Sequence, residues 1–434
     1  MEKDILVITE GFHPPWTEGS INILLSWLAS LAMNISFKGV IITWKDPKRA
    51  YIYEDMKKLK LTLGPSSYLW IYYVEILQKL RELPLLLRAP IKLDLWRTLV
   101  NQYLRFTSLI QVLRALQKIK GLLTDNQYDP VIIMHNVGTY MLTKLLKHVD
   151  TQRLNILVTN TFADYTRVMG LLHILASRNV QRGYIITSSP FTWYIANKIE
   201  TELTGSKLKL LSPIPILGSV VEKLGIRHIF RKNDKAEDKI VHELLNNFIN
   251  RYTHIVLYIG ELNEARFPIS LLLHLCKSLR AVDGGLLVVT PPSYSTLRHI
   301  KLIKNIGLPN NLHILPIPID PWLKERILEL ASIVVSPNVS PESYTVVDPP
   351  LFIVESMFKG KFIVAFSNSY IRALFRHFKY ESQVLVPNGD INKFIYVLLN
   401  ILKKSASEYP LRSSSNVTEP ITVGRELVKL MDQL

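Results

Sequence analysis

The chain is predicted to fold as an α/β protein with two doubly wound, largely parallel sheets. Three observations predict it. Short runs rich in Val and Ile recur along the sequence, each followed by an amphipathic stretch. The runs are apolar throughout rather than alternating, as strands buried on both faces are. They fall into two series separated by a proline-rich segment and a charge run, so two domains are expected. The length, 434 residues, accommodates this at roughly 100–200 residues per domain. A chain that is 48% hydrophobic and 20% charged is not a disordered one.

The first series lies at residues 5–9, 40–44, 131–134, 155–159, 184–187 and 209–216, the second at 255–259, 286–290, 312–315, 333–336, 362–366 and 384–387. The longest uncharged stretch, 19–37, is long enough to cross a bilayer. It contains Ser20, Asn22, Ser26, Ser30, Asn34 and Ser36 and follows a strand and a Pro14-Pro15 loop, so it reads better as a buried helix. Met1-Glu2-Lys3-Asp4 carries two acids, so no secretory leader is expected. Between the series, Ser212-Pro-Ile-Pro-Ile-Leu-Gly218 is a stiff hinge candidate, and Arg231-Lys-Asn-Asp-Lys-Ala-Glu-Asp-Lys239 reads as a solvated insertion. The expected organisation is a first domain at 1–217, a hinge and insertion at 218–251, a second domain at 252–415, and a terminal helix at 416–434 packing back on the first domain. Cys276 is the single cysteine, which excludes an internal disulfide and four-cysteine zinc sites and fits a reducing, cytoplasmic setting.

The net charge is +16 and the isoelectric point near 9.6. Residues 56–120 supply more than half of the excess, with twelve Lys and Arg, among them Lys57, Lys58 and Lys60, against three acids. Trp70, Tyr72, Tyr73, Trp96, Tyr103 and Phe106 are interleaved with them. This region is expected to be helical. Its composition suits peripheral contact with an anionic membrane on the inner face, where apolar area and Coulomb attraction act together. Plain helix packing is the second reading, and single-stranded nucleic acid a distant third.

Motifs for nucleotide-dependent hydrolysis, zinc proteolysis, serine hydrolysis and dinucleotide binding are all missing, as is an Asp-x-Asp pair, so no metal is expected. Four features carry chemistry. The first is the loop Glu10-Gly-Phe-His-Pro-Pro-Trp-Thr-Glu-Gly-Ser20, where Gly19 opens a helix whose free N–H groups suit a phosphate. The second is His135, just past an apolar strand, where an imidazole faces a crevice and donates to a sugar hydroxyl or stabilises charge. The third joins Ser336-Pro337 to Asp348-Pro-Pro350 and Glu355, a carboxylate in the first turns of a helix and suited to ribose hydroxyls. The fourth is Tyr258-Ile-Gly260-Glu-Leu-Asn-Glu-Ala-Arg266, a strand, a glycine and an arginine placed to grip a phosphate. The first three have structural counterparts: an ordinary strand–helix turn, a core histidine, and a glutamate complementing a helix dipole.

In this order the motifs resemble the GT-B glycosyltransferases, specifically the retaining family 4 group. The most specific segment is Pro349-Pro-Leu-Phe-Ile-Val-Glu-Ser-Met-Phe-Lys-Gly360, which is similar to that group's Pro-Pro-Leu-x-x-x-Glu-Ala-Met-Ala-x-Gly. Leu385-Val-Pro-Asn-Gly-Asp390 resembles its Leu-Val-x-x-Gly-Asp turn, and His135 falls where the group places an active-site histidine. Two departures stand out: Val347 occupies the position of the first of the group's paired glutamates, and Glu261 that of its diphosphate-binding arginine.

The resemblance implies two Rossmann-like domains with a cleft between them. It implies transfer of a sugar from a nucleotide-sugar co-substrate, with retention and without an obligatory metal or resident cofactor. His135 and Glu355 would then be catalytic. Gly19, Gly260, Arg266, Pro337, Pro350 and Glu355 would hold the donor. His13, Trp16, Lys57, Lys58 and Trp70 would face the acceptor or membrane. The acceptor class stays open among glycan, lipid-linked and protein acceptors. A catalytically inactive GT-B scaffold, which Glu261 and Val347 would explain, and a nucleotide-sugar epimerase are the alternatives.

Overall fold

The computed structural model describes residues 2–12, 19–44, 58–74, 94–123, 130–147, 155–161, 165–199, 207–230, 243, 245–291, 294–316, 320–339, 351–404 and 419–434. The chain divides into two compact units. Unit 1 comprises Met1–Ile214, Leu224–Ile226 and Thr418–Leu434, and unit 2 comprises Pro215–Lys223 and Arg227–Val417.

Unit 1 is built on eight strands: β1 (Lys3–Glu10), β2 (Phe37–Trp44), β3 (Lys58–Thr62), β4 (Tyr68–Val74), β5 (Val131–His135), β6 (Ile156–Asn160), β7 (Gly183–Thr187) and β8 (Leu208–Leu210). Their order across the sheet is β3-β4-β2-β1-β5-β6-β7-β8. All pairings are parallel except β3 with β4. The central strands have no exposed face: Ile5, Leu6, Val7 and Ile8 of β1 and all five residues of β5 are buried. That is why they read as unbroken apolar runs. Connecting helices are α1 (Gly19–Ala32), α2 (Asp94–Leu123), α3 (Thr139–Leu146), α4 (Tyr165–Ser177) and α5 (Pro190–Ile199).

Two expectations are corrected here. The segment 58–74 is not helical: Lys58-Leu-Lys-Leu-Thr62 and Tyr68-Leu-Trp-Ile-Tyr-Tyr-Val74 form an antiparallel pair at the sheet edge. Leu61, Leu69, Ile71 and Tyr73 point inward, while Lys58, Lys60, Tyr68, Trp70 and Tyr72 occupy the other face. The strand expected at 209–216 stops at Leu210, because Pro213 and Pro215 lack the N–H groups that a ladder needs.

Unit 2 has six strands, β9 (His254–Ile259), β10 (Gly284–Val289), β11 (Leu312–Leu315), β12 (Ile333–Ser336), β13 (Ile363–Ser367) and β14 (Gln383–Pro387), all parallel and ordered β11-β10-β9-β12-β13-β14. Its helices are α6 (Gly218–Lys223), α7 (Arg227–Phe230), α8 (Ile269–Leu279), α9 (Tyr294–Ile306), α10 (Pro321–Leu330), α11 (Leu351–Phe358), α12 (Ser369–Phe378) and α13 (Ile391–Lys403). Local chemistry sets their ends. Asp320 caps α10 by accepting from the N–H groups of Trp322 at 2.8 Å and Leu323 at 2.9 Å, with Pro321 at the first helical position. Asn368 caps α12 through the N–H of Ile371 at 2.9 Å.

The last helix, α14 (Pro420–Asp432), belongs to unit 1 and packs on α1. Ser30 Oγ donates to the carbonyl of Pro420, and Asn34 Nδ2 donates to that of Ile421 at 3.4 Å. Among the described residues no helix is long and apolar enough to cross a membrane. The buried α1 has 14 residues, fewer than the roughly 20 that a span needs.

Candidate functional site

In an open parallel sheet, ligands gather outside the carboxyl ends of the strands at the point where the strand order reverses. Both units have such a point. In unit 2 the six strands follow the order 3-2-1-4-5-6, so the reversal lies between β9 and β12. In unit 1 the chain likewise builds outward in both directions, from β1 to β2 and from β5 to β6, with the reversal between β1 and β5.

The loop after β9 is tightly constructed. The buried Tyr258 donates its hydroxyl to the carbonyl of Glu261 at 2.8 Å, closing the turn over Gly260. A Cβ on Gly260 would stand 2.8 Å from that hydroxyl, so this position requires glycine. Asn263 Oδ1 then accepts from the N–H groups of Ala265 at 3.1 Å and Arg266 at 2.9 Å. Leu262 N–H donates to Thr296 Oγ1 at 3.3 Å, which ties the loop to α9. Val339 N–H donates to the Ala265 carbonyl at 2.9 Å, which joins the loop after β12 to the loop after β9. Phe267 and Phe352 pack edge-on against the Tyr258 ring at 5.0 and 5.8 Å. Burial pushes the Tyr258 hydroxyl well above its ordinary range, with the Arg266 charge pulling it down and the Glu261 charge pushing it up.

This framework presents one unspent charge. Arg266 is half-buried, and its guanidinium has neither a hydrogen-bond nor an ion-pair partner among the described residues. A fork of donors held on a rigid loop at a switch point is the chemistry that takes up a phosphate or diphosphate. Glu261 serves the same loop through its backbone carbonyl, the acceptor for Tyr258.

Glu355 is placed differently from the expectation, and the picture of an open carboxylate is corrected. Its residue is 1% exposed, and Oε1 accepts from Lys324 Nζ at 2.5 Å and from the Ile216 N–H at 3.2 Å. It therefore ties the segment entering α6 to α10 and α11 instead of awaiting ribose hydroxyls. A neighbouring network extends this tie. Glu325 accepts from Ser219 N–H and Oγ, each at 2.7 Å, and pairs with Lys359 at 2.5 Å. Trp322 lies against Gly218 and donates to Glu222 at 3.2 Å.

In unit 1, the expectation that His135 faces a crevice is also corrected. The side chain is fully buried, with Nδ1 2.8 Å from Thr159 Oγ1 and Nε2 3.1 Å from Asn136 Nδ2. The Asn136 amide is oriented by the Thr161 N–H, which donates to Oδ1 at 2.8 Å, so Nδ2 donates to His135 Nε2. The imidazole is thus neutral. Burial pushes its pKa down to about 3, a hydrogen bond to the Ser20 backbone works against this, and the Arg167 charge adds to it.

A buried neutral histidine has a consequence for stability. Its folded pKa lies below the unfolded value, so its full contribution is present above about pH 6.5 and is lost as pH falls toward 3, at up to about 1.4 kcal/mol per pH unit. His313 and His377, also lowered by burial, slope the same way. Urea unfolding of His135→Gln between pH 4 and 7 is expected to show a shallower decline than the parent. An unchanged slope would contradict the assignment.

Asn136 and Arg167 are residues that sequence reasoning missed. Asn136 adopts the left-handed conformation at φ 53°, and Arg167 donates to its carbonyl from α4. An asparagine followed by Val-Gly just after a strand was the available signal. Gly19 stands exposed at the first position of α1, Gly260 is half-buried, and Pro337 is buried at the end of β12. Lys58 and Trp70 lie on β3 and β4, away from the switch-point loops of unit 1 in the strand order. His13, Trp16, Lys57, Val347 and Pro350 lie outside the described residues. Among the described residues, no group of three His, Cys, Asp or Glu side chains could hold a metal ion.

By sequence, no protein-family model and no curated protein matches the chain. By structure, matches run end to end. HepE from Anabaena in complex with UDP and glucose superposes with a TM-score of 0.60 at 12% identity over 99% of each chain. The fold is GT-B. The N-terminal domain of the trehalose-6-phosphate phosphatase of Candida albicans matches this GT-B chain with a TM-score of 0.62 at 13% identity, over 100% of this chain and 97% of that one. The trehalose 6-phosphate synthase of Burkholderia multivorans matches at 0.59 and 12%, over 100% and 98%. As a GT-B protein the chain brings Gly260, Arg266 and Pro337 to the switch point of unit 2, and Gly19 and His135 to that of unit 1.

Proposed function

We propose that this chain transfers a sugar from a nucleotide-sugar donor to an acceptor, with the donor diphosphate gripped by unit 2. The observation that carries this reading is Arg266: a guanidinium without a partner among the described residues, on a rigid loop at the switch point of a fold shared with a UDP-bound protein. When the glycosidic bond to the donor breaks, negative charge develops on the departing nucleoside diphosphate, and a preorganised cation stabilises it most where water is scarce. Gly260 lets the backbone come close to the same group, and Gly19 offers the corresponding approach in unit 1. Retention, independence from metal and an acceptor of glycan, lipid-linked or protein type complete the proposal, on the strength of the motif resemblance. His135 enters it as a positioning residue that fixes Asn136, and Glu355 as part of the frame.

The test is calorimetric titration with UDP-, GDP- and ADP-sugars. At least one is expected to bind, and Arg266→Ala is expected to weaken it by about 10–100-fold, the loss of one charged hydrogen-bonding group. Silence across the panel overturns the proposal.

One observation favours a second reading, that of a GT-B scaffold without catalysis: the Glu355 carboxylate is spent on Lys324 and Ile216. Donor binding without any transfer or hydrolysis would select it, and epimerised donor released without an acceptor would select an epimerase.

A further inference from the structure

The edge of the unit 1 sheet carries a surface that donor chemistry does not use. Across the β3–β4 register, Lys58 stands opposite Tyr72, Lys60 opposite Trp70, and Thr62 opposite Tyr68. All five large side chains lie on one face. Lys58 Nζ sits 4.1 Å from the Trp70 ring centre and 5.0 Å from that of Tyr72. Lys60 Nζ sits 4.5 Å from Tyr68, and Lys118 Nζ, reaching over from α2, sits 4.0 Å from Tyr72. Beside this face, Ala115 and Ile119 of α2 share a buried cluster with Ile42, Trp44 and Val74. Lys58 and Lys60 are exposed and the three rings half-exposed.

Among the described residues no carboxylate pairs with Lys58, Lys60 or Lys118. The pKa of Lys118 is depressed, first by burial and then by the charge of Lys58, with Tyr72 opposing. Three ammonium groups crowded on one flat face without a counter-charge attract anions.

We propose that the outer face of β3 and β4 docks on a lipid bilayer through anionic headgroups. Three features select that partner. The ammonium groups are compact point charges with no fork geometry, suited to a diffuse anionic field more than to one defined phosphate. Tyr and Trp are the side chains whose amphipathic rings settle at headgroup level. Each of the three rings already has a lysine over it, which competes with stacking bases and disfavours single-stranded nucleic acid. The inference goes beyond the donor-site reading and stands whether or not the chain transfers sugar.

Flotation of the full chain with phosphatidylcholine vesicles, with and without phosphatidylserine, tests it. Binding is expected only with phosphatidylserine and is expected to weaken as salt is raised. Each lysine near an anionic surface is worth about fivefold, so Lys58→Gln/Lys60→Gln/Lys118→Gln is expected to weaken partitioning about a hundredfold. Lys58→Gln/Lys60→Gln, which alters only exposed positions, is expected to lose about 25-fold with an unchanged melting temperature. Absence of binding to phosphatidylserine vesicles, equal binding to neutral ones, or variants that bind like the parent would overturn the proposal. So would a gel shift in which these lysines bind a single-stranded oligonucleotide while vesicles go unbound.

Discussion

Lys324→Met is expected to destabilise unit 2 by about 3–5 kcal/mol, while Lys324→Met/Glu355→Gln recovers most of the loss. Lys324 and Glu355 are both buried and form an ion pair at 2.5 Å. Removing the ammonium leaves the carboxylate with the Ile216 N–H at 3.2 Å, and an uncompensated buried charge is among the costliest defects a core can hold. Neutralising both partners removes the stranded charge, and the amide oxygen introduced in place of the Glu355 carboxylate would still accept from Ile216. Thermal unfolding followed by circular dichroism gives the comparison: a drop of about 10 °C for the single change and a much smaller one for the double. Equal losses in the two variants would mean that the pair is not the tie described above.

The second large effect is expected at Gly424, where α14 meets α1. A Cβ there would stand 2.2 Å from the Ser30 carbonyl oxygen and 2.3 Å from Asn34 Nδ2. The first is backbone inside a buried helix and cannot yield cheaply. Gly424→Val is therefore expected to lift α14 from its seat, exposing Val423, Leu427, Leu430 and Met431, at a cost of about 3 kcal/mol. Hydrogen exchange should show protection falling in α14 well before the central strands respond. Undiminished protection in α14 would contradict the close packing.

Much of this fold was legible because strands buried on both faces announce themselves as apolar runs. Ile5-Leu-Val-Ile8 and Ile255-Val-Leu-Tyr258 need no partner to be recognised. β3 and β4 were not, since an edge pair has one wet face. There Lys58, Lys60, Trp70 and Tyr72 alternate with Leu59, Leu61, Leu69 and Ile71, and a count of charges reads that period-2 pattern as a basic helix.

The strand–glycine–arginine order makes Arg266 a candidate from sequence alone. That its guanidinium has no partner among the described residues is a fact of three dimensions. His135 was rightly placed at a strand end but wrongly aimed. The group that takes its ring is Thr159, its register partner on β6, 24 residues away. Glu355 fails for the same reason: its counter-ion, Lys324, sits 31 residues earlier on another helix. Position along one element can be read locally, whereas side-chain direction depends on which distant element supplies a charge.

Differential hydrogen exchange with and without saturating nucleotide tests the proposal that unit 2 holds a nucleoside diphosphate between the loops after β9 and β12. New protection is expected at residues 260–266 and 337–339, absent in Arg266→Ala at the same nucleotide concentration. Protection confined to other parts of the chain, or to the same loops irrespective of Arg266, would contradict it.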